Sequence, residues 1–224
     1  MRIRWFDSDF NDATLLMLKG KMLQSDYDLN NIEGFRLEKA SSRVLSGKYI
    51  VKRQEVNVAV DPFGNEYSNT TLEYDIYNFK LSLEHPSITL IDSPRSANPF
   101  FTRLTSLSGF DIQIKPIDVD ILKVISQLEL VWPSMRVIKV TSGNITLSPK
   151  VIGKFVISGT DEVRSYITQF VIGNNTALDK AKLFNPRNNF SVEISKNGMA
   201  TITGRYIPDE YIADLTQSFF QDQH

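Results

Sequence analysis

The sequence predicts an α+β fold, and three observations carry that reading. Apolar residues recur at helical spacing in some stretches and at every second position in others, so both element types are encoded. The 224 residues are 42% apolar and 11% aromatic, enough to bury a sizeable core. The two patterns are partly segregated: a helix and a run of strands come first, and mixed units follow.

Residues 11–24 place Leu15, Leu16, Leu18, Met22 and Leu23 on one broad face, which predicts an N-terminal helix with Asp12 as its cap. From Phe35 to Asp92 the period changes to two, the mark of an antiparallel β-meander. Tyr49 and Val51 lead to Val56, Val58 and Val60, then to the turn Asp61-Pro62-Phe63-Gly64-Asn65. Leu72, Tyr74 and Ile76 follow, and the alternation resumes one residue out of frame at Tyr77, Phe79, Leu81 and Leu83. That slip predicts a β-bulge between Ile76 and Tyr77. Ile88 to Ile91 closes the meander.

Pro94 and Pro99 bracket a polar connection. Phe100, Phe101, Leu104 and Leu107 then predict a short helix ended by Gly109. Phe110, Ile112 and Ile114 read as a strand. Asp118 is the expected cap of a helix carrying Ile121, Leu122, Ile125 and Leu128, which Pro133 stops. Strands are expected at Val137 to Val140 and at Val151 to Ser158, with a turn at Ser142-Gly143-Asn144 between them. A similar grammar of strand, glycine, acidic first turn and apolar helix occurs twice. It runs once through Gly159, Asp161 and Glu162, and again through Gly204, Asp209 and Glu210. Lys196-Asn197-Gly198 reads as a hairpin turn. From Phe110 onward the order is β-α-β-β-α-β-β-α, with the role of Ala177 to Phe184 open. It contains the split β-α-β arrangement of ferredoxin-like sheets. The expected organisation is a helix and β-meander region over 1–92, a connection with a short helix over 93–109, and an α+β region over 110–224. No flexible linker marks a boundary, so one continuous domain is the alternative.

The chemistry available is narrow. The chain has no cysteine, and its two histidines are His85, before a proline, and His224, the last residue. This removes thiol nucleophiles, cysteine zinc sites and Ser–His–Asp triads. Gly47-Lys48 lacks the rest of a phosphate-cradling P-loop, and no Gly-x-Gly-x-x-Gly occurs. No cofactor, metal or small-molecule ligand is therefore expected. The net charge is −1, and acids balance bases in each half of the chain, which offers no broad polyanion-binding surface. No apolar run reaches the ~20 residues of a membrane helix, so no membrane partner is expected. Met1 to Asp7 carry basic residues with no apolar run behind them, and with the missing cysteines this predicts a cytoplasmic protein.

Two constellations stand out as candidate sites. Asp92 ends a predicted strand, and Gln113 and Lys115 lie on the next one. An acid, a polar residue and a lysine in that arrangement can hold Mg²⁺ and orient water, as in a nuclease. The competing reading makes Gln113 and Lys115 the solvent row of a strand. Between residues 36 and 53, Arg36, Lys39, Arg43, Lys48, Lys52 and Arg53 face the single acid Glu38. This stretch is a candidate nucleic-acid surface, or an edge strand that lysines protect from pairing. The Asp-x-Asp runs at Asp7 and Asp118 read as helix-entry residues. Trp5 and Trp132 read as core or half-buried anchors. The sequence thus predicts a non-enzymatic interaction protein, an accessory subunit of a multi-protein assembly with a protein partner. The alternatives are nucleic-acid binding through residues 36–53 and a Mg²⁺-dependent nuclease at Asp92, Gln113 and Lys115.

Overall fold

The first element is a strand, β1 (Arg2–Ser8), and helix α1 (Asp12–Gln24) comes second, which corrects the expected start on a helix. Ile3 and Trp5 are fully buried and Arg2 and Arg4 alternate with them. Ile3 pairs with Ala200, a partner far outside any local window. The computed structural model describes residues 1–148, 151–170, 177–205, 207–208 and 210–220. They divide into two units, one formed by Ser8–Ile114 and the other by Met1–Asp7 with Lys115–His224.

In the Ser8–Ile114 unit, α1 is capped by Asn11 rather than Asp12: the Asn11 carboxamide oxygen accepts from the Thr14 N–H at 2.8 Å. Strands β2 (Glu33–Ala40), β3 (Val44–Val60), β4 (Glu66–Ser82) and β5 (Ile88–Ile91) form an antiparallel run in that order. Helix α2 (Asn98–Leu107) follows, and Gly109 leaves it at φ +75°, a conformation that suits glycine. Phe35, Tyr49, Tyr77 and Phe79 are buried on one sheet face and pack with Phe100 of α2, whose ring lies 5.3 Å from Phe79 and 6.2 Å from Tyr77. Leu15, Leu18 and Met22 of α1 are also fully or nearly fully buried.

The bulge expected between Ile76 and Tyr77 is absent. The β3–β4 register runs without a shift from Val44 opposite Ser82 to Val60 opposite Glu66. What changes is the apolar face. Leu45, Tyr49, Tyr77, Phe79 and Leu81 point into the core, whereas Val56, Val58, Val60, Leu72, Tyr74 and Ile76 belong to the opposite face and are exposed. A strand that switches its apolar face mimics a frame slip when only the sequence is read.

The strand expected through Phe110, Ile112 and Ile114 shrinks to β6 (Ile114–Pro116). Phe110 is 77% exposed at φ 67°, outside any strand, because it ends the turn that leaves α2.

In the other unit, helix α3 (Ile121–Val131) is capped by Asp120, two residues after the expected Asp118; its carboxylate accepts from the Leu122 N–H. Strand β7 (Arg136–Ser148) runs straight through the expected turn at Ser142 to Asn144, where its register with β8 (Val151–Ser158) shifts instead. Helix α4 (Arg164–Phe170) is followed by β9 (Lys180–Asn185), which settles the open role of Ala177 to Phe184. Strands β10 (Phe190–Ser195) and β11 (Met199–Gly204) join through Lys196 to Gly198, with Gly198 at φ +65°, and helix α5 (Glu210–Phe220) follows. Asp209, expected in the first turn of α5, lies outside the described residues.

The ferredoxin-like arrangement is not what forms. A ferredoxin-like sheet is itself antiparallel and is defined by its strand order, in which β6 would lie between β8 and β9. Here the order is β1-β11-β10-β9-β7-β8, and each of these pairings is antiparallel. Strand residues outnumber helical ones nearly two to one among the described residues, so the chain is mainly antiparallel β with five small helices rather than the expected α+β fold. The two units of similar grammar also take unlike places. β8 sits at the edge of its sheet, whereas β11 lies between β1 and β10. Trp5 and Trp132 are both buried; Trp5 lies 4.5 Å from the Phe219 ring, and the Trp132 indole N–H donates to Asp214 at 3.1 Å.

Candidate functional site

The strongest functional feature is a two-stranded arm built by the length of β3 and β4. Each strand has 17 residues, but their outer neighbours are short. β2 pairs with β3 only as far as Val51, and β5 pairs with β4 only from Asn78 to Leu81. Beyond those points, Arg53 to Val60 and Glu66 to Glu73 pair only with each other among the described residues. Asp61 closes the tip. Its carboxylate accepts from the Phe63 and Asn65 N–H groups, both at 2.8 Å, and from the Asn65 side-chain amide at 2.9 Å. Those Asn65 bonds come first among the causes that hold the Asp61 carboxyl below the ordinary range. Gly64 supplies the positive φ, +86°, that the tip needs.

The arm is amphipathic across its thickness. One face carries Val56, Val58, Val60, Leu72, Tyr74 and Ile76, each 40–62% exposed. The other carries Arg53, Glu55, Asn57, Asn69, Thr71 and Glu73 as cross-strand partners. Arg53 forms an ion pair with Asp75 on this polar face. An isolated hairpin in water is marginally stable and has no use for one apolar face. Six large apolar side chains, three from each strand, are thus exposed on one face of the arm.

At the base of the arm, Tyr49 anchors the sheet. Its phenol donates to Glu33 at 2.6 Å, and the Arg103 guanidinium lies 3.3 Å from the same carboxylate. Burial, with the Glu33 bond behind it, pushes the Tyr49 phenol well above its ordinary range.

The register sorts the basic stretch by face. Arg36 lies opposite Lys48 and Lys39 opposite Ser46, so these, with Lys52, share the face that carries the apolar row. Lys80, opposite Ser46 on β4, joins them; distance along the chain hid it from the sequence reading. Arg53 faces the other way. Three of the six predicted cations pair with carboxylates, Lys48 with Glu38 at 3.3 Å, Arg43 with Glu84 at 3.2 Å, and Arg53 with Asp75, and Lys52 donates to the Leu29 carbonyl at 3.5 Å.

Of the nuclease candidates, Asp92 follows β5 at φ 46° with its side chain exposed. Gln113 sits in the irregular segment before β6, and its N–H donates to Asp9 at 3.1 Å. Lys115 lies in β6 and belongs to the other unit. Among the described residues no group of three or more His, Asp or Glu side chains gathers to hold a metal ion. No helix among the described residues is long and apolar enough to cross a membrane. No family model matches the chain, and no curated protein matches it in sequence.

Proposed function

We propose that this chain is a non-enzymatic interaction protein, an accessory subunit that docks to a protein partner through the β3–β4 arm. One observation carries the reading: the arm's apolar side chains lie on the face opposite the core, where Val56, Val58 and Val60 are more than half exposed. Burying a Val, Leu or Ile side chain fully is worth about 1.5–3 kcal/mol. A row of them therefore competes with the cost of association, roughly 4–15 kcal/mol. A nucleic-acid platform on residues 36–53 is the weaker reading, because half of its cations are paired with carboxylates and Arg53 faces away from the others.

The test places a photo-crosslinking side chain at Val58 on the apolar face, or at Asn57 on the polar face, of the full chain in its native host. The expected result is one protein crosslinked from position 58 and not from position 57, with the crosslink lost on adding Val56→Asp. Equal crosslinking from both faces would overturn the reading, as would none from position 58.

A further inference from the structure

A second feature lies in the other unit, on the solvent face of β7, β8 and β9. Lys139, Lys154, Lys180 and Lys182 converge there around an open cleft of about 320 Å³, with the Thr141 hydroxyl on its wall. Antiparallel register puts Lys139 directly opposite Lys182 and Thr141 directly opposite Lys180. Like charges directly opposite each other destabilise a sheet. Nothing in the fold of this unit requires that pairing, since both side chains leave the core face to Ala181 and Leu183.

Two carboxylates, Asp179 and Glu193, share the cleft with the four lysines, and Glu193 of β10 lies opposite Lys182, so the cluster is only partly neutralised. Glu193 reaches Lys180 only at 3.8 Å, and among the described residues neither Lys139 nor Lys182 forms an ion pair. Asp179 is held at the rim by Lys196, 2.6 Å away. The Lys196 bond comes first among the causes that lower the Asp179 carboxyl, and the Gly143 N–H adds to it. Gly143 leaves room for this carboxylate, since an Asp179 oxygen lies 2.8 Å from where a Cβ would stand. The rim carboxylate is thus tied to partners at the edge, with the Lys154 charge also acting on it, while the four lysines line the opening.

We propose that this cleft binds a small polyphosphate, with the linked phosphoryl groups bridging the Lys139–Lys182 pair and its lysine neighbours. The chemistry of the lining selects the ligand. Ammonium groups are compact point charges suited to multiply charged tetrahedral phosphate, whereas flat carboxylates are better met by the arginine fork, which the cleft lacks among the described residues. Among the described residues its apolar lining is Val156 and Ala181, with no aromatic ring on which a base could stack, so a nucleic-acid strand is disfavoured.

The probe is inorganic pyrophosphate, titrated calorimetrically into the full chain at about 50 mM salt, where phosphate contacts are strong. Saturable binding is expected, weakened at least tenfold by Lys139→Gln with Lys182→Gln and unchanged by Lys48→Gln with Lys52→Gln. Relief of the opposed charges also predicts that Lys139→Gln raises the ligand-free Tm by about 1–3 °C, so loss of binding cannot be misfolding. Absence of saturable binding would overturn the proposal, as would equal weakening in the control pair. A fall in Tm with unchanged affinity would do the same. An oligothymidylate that binds the cleft where pyrophosphate does not would assign it to nucleic acid instead.

Discussion

Tyr49 shows how one side chain links the core to the surface of the Ser8–Ile114 unit. Its ring packs 4.9 Å from Phe35 and 5.7 Å from Tyr77, while its hydroxyl reaches out to the half-exposed Glu33 carboxylate. Tyr49→Phe keeps the ring and deletes the donor, so the expected loss is about 1–2 kcal/mol, toward the low end for a bond to a charged group. The pH dependence has a definite sign. A phenol whose folded pKa is raised contributes stability that is fully present below its ordinary value of 10.0 and is lost as pH rises through the folded value. Denaturant melts of the wild type should therefore lose stability above about pH 10 more steeply than those of Tyr49→Phe. Parallel curves for the two proteins would contradict the assignment.

At the scale of the element, the arm is held by its register and its tip, with no core beneath it. Asp61 is the tip's organiser, and its depressed carboxyl sets the pH window. The contribution is present above the ordinary carboxylate value of 3.8 and is lost as pH falls through the lower folded value. Asp61→Ala should open the tip at every pH, with faster amide exchange at Phe63 to Tyr67 and unchanged exchange in β2 and β5. The rest of the unit should keep its Tm to within about 1 °C, because the tip buries no apolar side chain. A global loss of stability on this substitution would show that the arm is folded into the unit rather than projecting from it.

For the whole molecule, an uncovered apolar row coincides with an almost neutral charge balance. The net charge at pH 7 is −1 and the isoelectric point is about 6.2. Proteins near zero net charge lose the repulsion that keeps apolar patches apart. Light scattering of the purified chain at low salt should show self-association that peaks near pH 6.2 and falls on either side. Replacing Val56 and Val58 with threonine keeps the β-branched shape but exchanges a methyl for a hydroxyl in each, and should lower the peak without changing its pH. If the peak survived that change, the association would belong to another surface.

The sequence by itself determined the elements whose signals are local. The hairpin at Lys196 to Gly198 and the α2 stop at Gly109 need a positive φ that glycine supplies, and a short window shows both. It also showed the basic concentration of residues 36–53 and the turn at Asp61 to Asn65. What it could not show was which face of a strand meets a core, or which strands become neighbours. Val56 to Val60 and Leu72 to Ile76 alternate as core strands do. Only the burial of Tyr49, Tyr77 and Phe79 under Phe100 shows that these residues face the other way. No local signal singles out Lys139, Lys154, Lys180 or Lys182; the antiparallel pairing of three strands makes them a cluster. Strand order likewise replaced the expected ferredoxin-like sheet, because β9 pairs with β7 through contacts of long sequence separation. Periodicity is a property of the chain, but the choice of inner face and neighbour is a property of packing, which is fixed only when distant segments meet.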